Sequence, residues 1–143
     1  MLAEIHAHLK STLTVPLWSQ IEVAEDIDAV ADLAGQLDNG SLVIAPFREL
    51  ASENPLTTGG FRQRVAIQFL AGVVIRHYGD FLGEARALQF DTYLRGLESA
   101  LAGWEPPSAI SPCQLVSGES SPVTKGVSIY VQTWQTARFL TGA

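Results

Sequence analysis

Only one cysteine, Cys113, occurs in the 143 residues, so no internal disulfide can staple the chain. A chain of this length can bury about 68% of its unfolded surface and has no need of one. Histidine is nearly as scarce: His6, His8 and His77 are all there are. His6 and His8 stand two apart, so on a helix they face different ways, and no cysteine or carboxylate completes a metal set around either. Solvent or a partner is the expected contact for both. Charged residues make up 17% against 47% hydrophobic, which leaves apolar surface for another chain to cover. No apolar run reaches the ~18 residues a membrane span requires, and the first twenty residues lack a basic start, apolar run and cleavage site. A soluble intracellular product is expected. Internal repeats, phosphate-cradling loops and nucleic-acid reader motifs are also missing.

What acid there is lies at one end. Residues 1 to 40 hold seven acids (Glu4, Glu22, Glu25, Asp26, Asp28, Asp32, Asp38) and one base, Lys10, for a charge of −6; residues 41 to 143 hold eight of each. Four of the nine basic residues, Arg48, Arg62, Arg64 and Arg76, fall in one stretch. That stretch is a polar connection, Arg48 to Gly60 (RELASENPLTTGG), leading into one very long apolar strand, Phe61 to Arg76. Sixteen residues at ~3.3 Å each span roughly 50 Å, far beyond an ordinary strand of ~17 to 20 Å. Either Gly72 marks a bulge or bend, or the first third projects beyond the body, or both. Val65, Ile67, Phe69, Ala71, Val73 and Ile75 form its core face; the other face mixes arginines with Leu70 and Val74, so something covers it in part. A basic arm on an acidic body suits like subunits packing head to tail, and suits nucleic acid equally well.

The periodicity predicts a helix over 2–13 ended by Pro16, a short strand over 18–24, and a helix capped by Asp26 with Ile27, Val30, Ala34 and Leu37 buried. After the Asn39-Gly40 turn come a core strand, Ser41 to Phe47, whose Pro46 places its end near the sheet margin, then the polar connection and the long strand. His77 to Asp80 breaks the pattern. A helix follows from Phe81 to Leu101, its stripe running through Phe90, Leu94, Leu97 and Leu101 to Trp104, which plugs the core at the helix end. The close is an antiparallel hairpin of Cys113 to Ser117 and Val127 to Leu140, joined by a turn-rich connection. The expectation is an α+β fold, a single domain over 1–143: a mostly antiparallel sheet with two to three helices on it and the 48–60 loop projecting.

No nucleophile, base and orienting group come together, so no catalytic, metal or cofactor site is expected. Cys113 reads as a small core residue, and the acids at 25, 26 and 28 as a helix start rather than a calcium loop. The strand opening Gly60-Phe61-Arg62-Gln63-Arg64-Val65, the Gly83-Glu84-Ala85 helix start, the helix end Leu101-Ala102-Gly103-Trp104-Glu105-Pro106-Pro107 and the closing strand with Trp134 and Thr136 resemble the tail terminator, or tail completion, proteins of long-tailed bacteriophages. The likeness runs from about residue 20 to the C-terminus.

That resemblance implies a non-enzymatic virion protein, assembled in the bacterial cytoplasm. It would form a hexameric ring that caps the tail tube, stops its polymerisation and meets the head connector, with DNA passing through the channel unread. Arg48, Glu49, Arg62, Gln63 and Arg64 are the candidate residues for a subunit contact or for lining the channel. Another neck or tail component, or a small α+β ligand-binding or enzymatic domain with its pocket beneath the 81–101 helix, are the alternatives.

Overall fold

The computed structural model describes residues 1–13, 17–56, 59–76, 84–124 and 127–142. The expected roles of Pro16, of His77 to Asp80, of the helix start at Phe81 to Gly83 and of the Ile27 side chain lie outside the described residues. In chain order the elements are α1 (Leu2–Thr12), β1 (Ile21–Val23), α2 (Ile27–Ala34), β2 (Ser41–Ala51), β3 (Arg62–Arg76), α3 (Glu84–Leu101), β4 (Ser111–Thr124) and β5 (Val127–Thr141). The strands form one sheet in the order β1-β2-β3-β5-β4. Only β1 and β2 run parallel; the other three pairings are antiparallel. The parallel pair follows from α2, because parallel neighbours need a crossover and a helix is the usual one. The fold is α+β, as the sequence predicts.

β3 lies at the centre and serves two cores. Phe69, Ala71, Val73 and Ile75 point to the side of α1 and α3, where Ile5, Leu9, Leu97 and Leu101 meet them with no exposure. Val74 points to the other side, against Val30, Ala34 and Leu37 of α2 and its exit. The mixed face inferred from sequence is thus covered in part, and α2 is the cover.

Gly72 neither bulges nor bends the strand. β3 pairs with β5 without a slip from Arg62↔Thr141 to Arg76↔Val127. Its missing side chain instead makes room for Ile129, whose Cδ1 lies 2.7 Å from where a Cβ would stand. A close approach by a packed side chain is the other use of glycine in a strand.

The helices sit where their stripes direct them. Asp26 caps α2, its carboxylate accepting from Ala29 N at 2.9 Å. At the other end Arg76 donates to the carbonyls of Gly35 (2.6 Å) and Leu37, so this arginine closes a helix C-terminus rather than facing a partner. On α3 the predicted stripe is buried, and Gly103 turns the chain with φ +81°. Trp104 is half-buried behind it, its ring stacked on His8 at 3.8 Å and 4°.

Both histidines of α1 are half-buried and bonded within the chain. His8 Nε2 donates to the Ala100 carbonyl at 2.8 Å and His6 Nε2 to the Ile21 carbonyl at 3.0 Å, so the two clamp α1 to α3 and to β1. They do point in different directions, as two-residue spacing requires.

Three boundaries differ from the sequence reading. β1 keeps only Ile21 to Val23 of the predicted strand. β4 runs fourteen residues, through what reads as a turn-rich connection: Gly118 pairs in register with Gln132, and register shifts lie beside both prolines and at Val116, on an edge strand that has an open side for them. β2 does not stop at Pro46 but continues to Ala51, which moves Arg48 to Ala51 out of the predicted loop and into the sheet. A bulge between Pro46 and Arg48 makes this possible. β1 pairs with β2 only as far as Ile44, so the proline faces an edge with no ladder to break.

Candidate functional site at the uncovered end of the sheet

Both neighbours of the three middle strands stop short. β1 reaches only Ile44 on β2, and β4 reaches β5 only from Ala137 inward. Phe47 to Ala51, Arg62 to Ile67 and Arg138 to Thr141 therefore continue as a three-stranded apron with two free edges. The projection inferred from strand length is real, but three strands wide. Within the apron and its tip Phe47, Leu50, Leu56, Phe61, Phe139 and Leu140 are each between 41% and 48% exposed. This is the surplus apolar surface that a charge-poor composition implies.

The connection at the tip is shaped by one side chain. Asn54 Oδ1 accepts from Leu56 N and from Arg62 N, both at 3.2 Å, and Gln63 Nε2 reaches the Ser52 carbonyl at 2.9 Å. Gly59 (φ +62°) and Gly60 (φ +142°) supply backbone that other residues rarely adopt.

Register then sorts the apron's side chains. Arg48 stands opposite Gln68, and Arg64 opposite Phe139, so Arg48, Arg62 and Arg64 share the α2 side of the sheet with Leu50 and Phe139. No acid lies on this side of the three strands. Arg48 Nε donates to Gln68 Oε1 at 2.8 Å, and Gln68 Nε2 donates onward to Gln135 Oε1 at 2.9 Å. The Arg62 guanidinium lies over the Phe139 ring at 4.6 Å. Both cations are held in place, yet neither is neutralised.

The opposite side is different in kind. Glu49 pairs with Arg138 at 3.4 Å beside Ile67 and Leu140, so charge is balanced there. Of the predicted residues, then, Arg48, Arg62 and Arg64 come together, while Glu49 and Gln63 lie on the other face. Sequence reasoning left out Arg138 and Phe139. They lie some seventy residues from the arginines, and only the β3–β5 pairing brings them alongside.

A cavity opens on each side of the bulge. That on the α2 side has a volume of ≈ 440 Å³ and an apolar floor of Leu70, Val131 and Ile129, with Arg48 at its rim. The other, ≈ 490 Å³, lies between the start of α1 and Ile67, Phe69 and Arg138. They open beside α2 and α1, not beneath α3 as a ligand-binding reading supposes. Apolar side chains share both linings with polar ones, Arg48, Gln68 and Glu119 in the first and Glu49, Ser108 and Arg138 in the second.

Elsewhere the chemistry is structural. Cys113 is 1% exposed, and burial pushes its thiol up to about 11, away from nucleophilic use. Among the described residues no three His, Cys, Asp or Glu side chains are grouped to hold a metal ion, and no helix is long and apolar enough to cross a membrane.

A family model described as "Phage tail terminator protein" matches residues 2–142. The search of curated proteins returned no match.

Proposed function

The chain belongs to the phage tail terminator family and is by that membership a structural component of a phage tail; from this premise we propose that it caps the tail tube. In this role it stops tube polymerisation, assembles as a hexameric ring and offers the head connector its landing surface. DNA passes through the ring without being read, and the protein carries no catalytic centre of its own. The apron, with Arg48, Glu49, Arg62, Gln63 and Arg64, is its contact surface.

One observation supports this above the rest: the three middle strands continue past the strands that flank them, carrying exposed apolar side chains and arginines without an ion pair among the described residues, held in register by pairing. A domain that worked alone would have no use for such an extension, whereas an assembly subunit needs a preformed one. Electron microscopy of particles assembled with and without the protein tests the role. Tails of uniform length with it and overlong tails without it are expected. Unchanged tails would assign it to another joint of the neck.

A further inference from the structure

We infer that the α2 side of the apron receives the acidic β1–α2 edge of a second copy of this chain. The inference rests on the tail-cap reading only for the setting in which copies meet. Glu22, Glu25, Asp26, Asp28 and Asp32 are all exposed and lie along β1, its exit and the outer side of α2. Among the described residues, the ion pairs are Met1–Glu4, Arg95–Asp91, Arg95–Glu98 and Arg138–Glu49. None involves these acids, and none involves Arg48, Arg62 or Arg64. The chain thus presents two surfaces of opposite sign, and neither is satisfied by the ion pairs within it.

Their apolar parts match as well. The arginine face surrounds Leu50 and Phe139, and Arg48, with Glu119 of β4 across from it, lines the adjoining ≈ 440 Å³ cavity. On the same edge Val23 is 44% exposed, on the face of β1 opposite Glu22. Apolar surface on both partners, Leu50 and Phe139 beside the arginines and Val23 on the edge strand, adds burial to the complementary charge. The two surfaces lie on different parts of one subunit, an edge strand and the end of the middle strands. A contact between them is therefore heterologous, and such contacts close into rings or run on as filaments. Nucleic acid would satisfy the arginines, but it leaves Leu50, Phe139 and the acidic edge without a partner.

Charge exchange between two variants tests this. Arg62→Glu with Arg64→Glu reverses the basic face and leaves the acidic edge intact. Glu22→Arg with Glu25→Arg does the converse. All four side chains are exposed, so circular dichroism should match the wild type. Each variant alone should lose cross-linked oligomers and uniform tails. A one-to-one mixture should recover both, since each variant then meets a complementary neighbour on either side. Wild-type assembly by each variant alone would overturn the inference, and normal tails that fail to deliver DNA would instead place the arginines along the channel. Loss in both variants without recovery on mixing would overturn it too, assigning the face to the tube or connector. Failure of the tail-cap reading is separable: overlong tails with wild-type protein would refute that reading while the cross-linking exchange could still succeed.

Discussion

Gly72 gives the sharpest test of how this core is packed. A Cβ built there stands 2.7 Å from Ile129 Cδ1, 3.3 Å from Ile129 Cγ1 and 3.5 Å from Val30 Cγ1. Carbon atoms prefer separations of about 3.5 to 4.0 Å, so Gly72→Ala drives a methyl roughly 1 Å into Ile129. Ile129 is 4% exposed, but it also floors the ≈ 440 Å³ cavity, and a turn of its Cδ1 towards that space relieves part of the clash. Overpacking of this kind costs about 1 to 3 kcal/mol, offset by about 0.4 to 1 kcal/mol from the stiffer unfolded chain. The net loss should lie between about 0 and 2.6 kcal/mol, with about 1.3 kcal/mol at the midpoints, or roughly 4 °C in Tm for a domain of this size. Ile129→Val alone should cost about 0.5 to 1.5 kcal/mol for the vacated methyl. In the double variant the new methyl occupies the space Cδ1 leaves. The two losses should then fail to add, with a coupling of about 1 to 2 kcal/mol in favour of the pair. Urea unfolding of the four proteins measures it, at more than one concentration because self-association shifts apparent stability. Strict additivity would refute the packing argument.

The remaining predictions concern caps, the tip and the thiol. Asp26→Ala removes the carboxylate that accepts from Ala29 N, and should cost about 1 kcal/mol in urea unfolding. Asn54→Ala leaves the amides of Leu56 and Arg62 without their shared acceptor; protease cleavage between residues 52 and 61 should quicken while the Tm of the body barely moves, because the tip contributes nothing to either core. Cys113 should resist alkylation at pH 8 in the folded protein and react promptly in urea. Its folded value of about 11 lies above the ordinary value of 9.0, so the unfolded chain loses this proton first. Stability from this group is therefore intact below pH 9 and falls as pH rises towards 11, a decline that Cys113→Ser should abolish. Glu4 runs the other way. Its bond from Ser108 holds its carboxyl below the usual value, so that tie loosens as pH falls through the folded value, and carboxyl NMR titration of Glu4→Gln against wild type reports it.

Much of the body was legible because its helices obey simple periods. Ile5 and Leu9, and the stripe from Phe90 to Leu101, needed only spacing; Asp26 needed only its place before an apolar-periodic run. Long-range pairing was not legible. Nothing local says that His8 lies against Trp104, or that Phe139 pairs across from Arg64. Turn-forming residues misled for a related reason: Pro46 and Pro122 read as interruptions, but on strands with one open side a bulge beside each takes them up and the ladder resumes, while Gly118 simply pairs in register.

That last point decides the chemistry of the apron. Along β2, strict alternation from Leu42 and Ile44, which face α1 and α3, would carry Arg48 to that same side. The extra residue at Phe47 reverses the alternation, because Pro46 stands opposite Phe69 and Arg48 opposite Gln68. Arg48 thereby joins Arg62 and Arg64, and Glu49 is carried to the other side, where Arg138 meets it. Without the bulge an acid would sit among the arginines and a base beside Arg138, and neither face would have a single sign. Since a one-residue slip exchanges the faces of a strand, the separation of charge on which assembly is proposed to depend is set by backbone geometry at one position, and composition alone does not contain it.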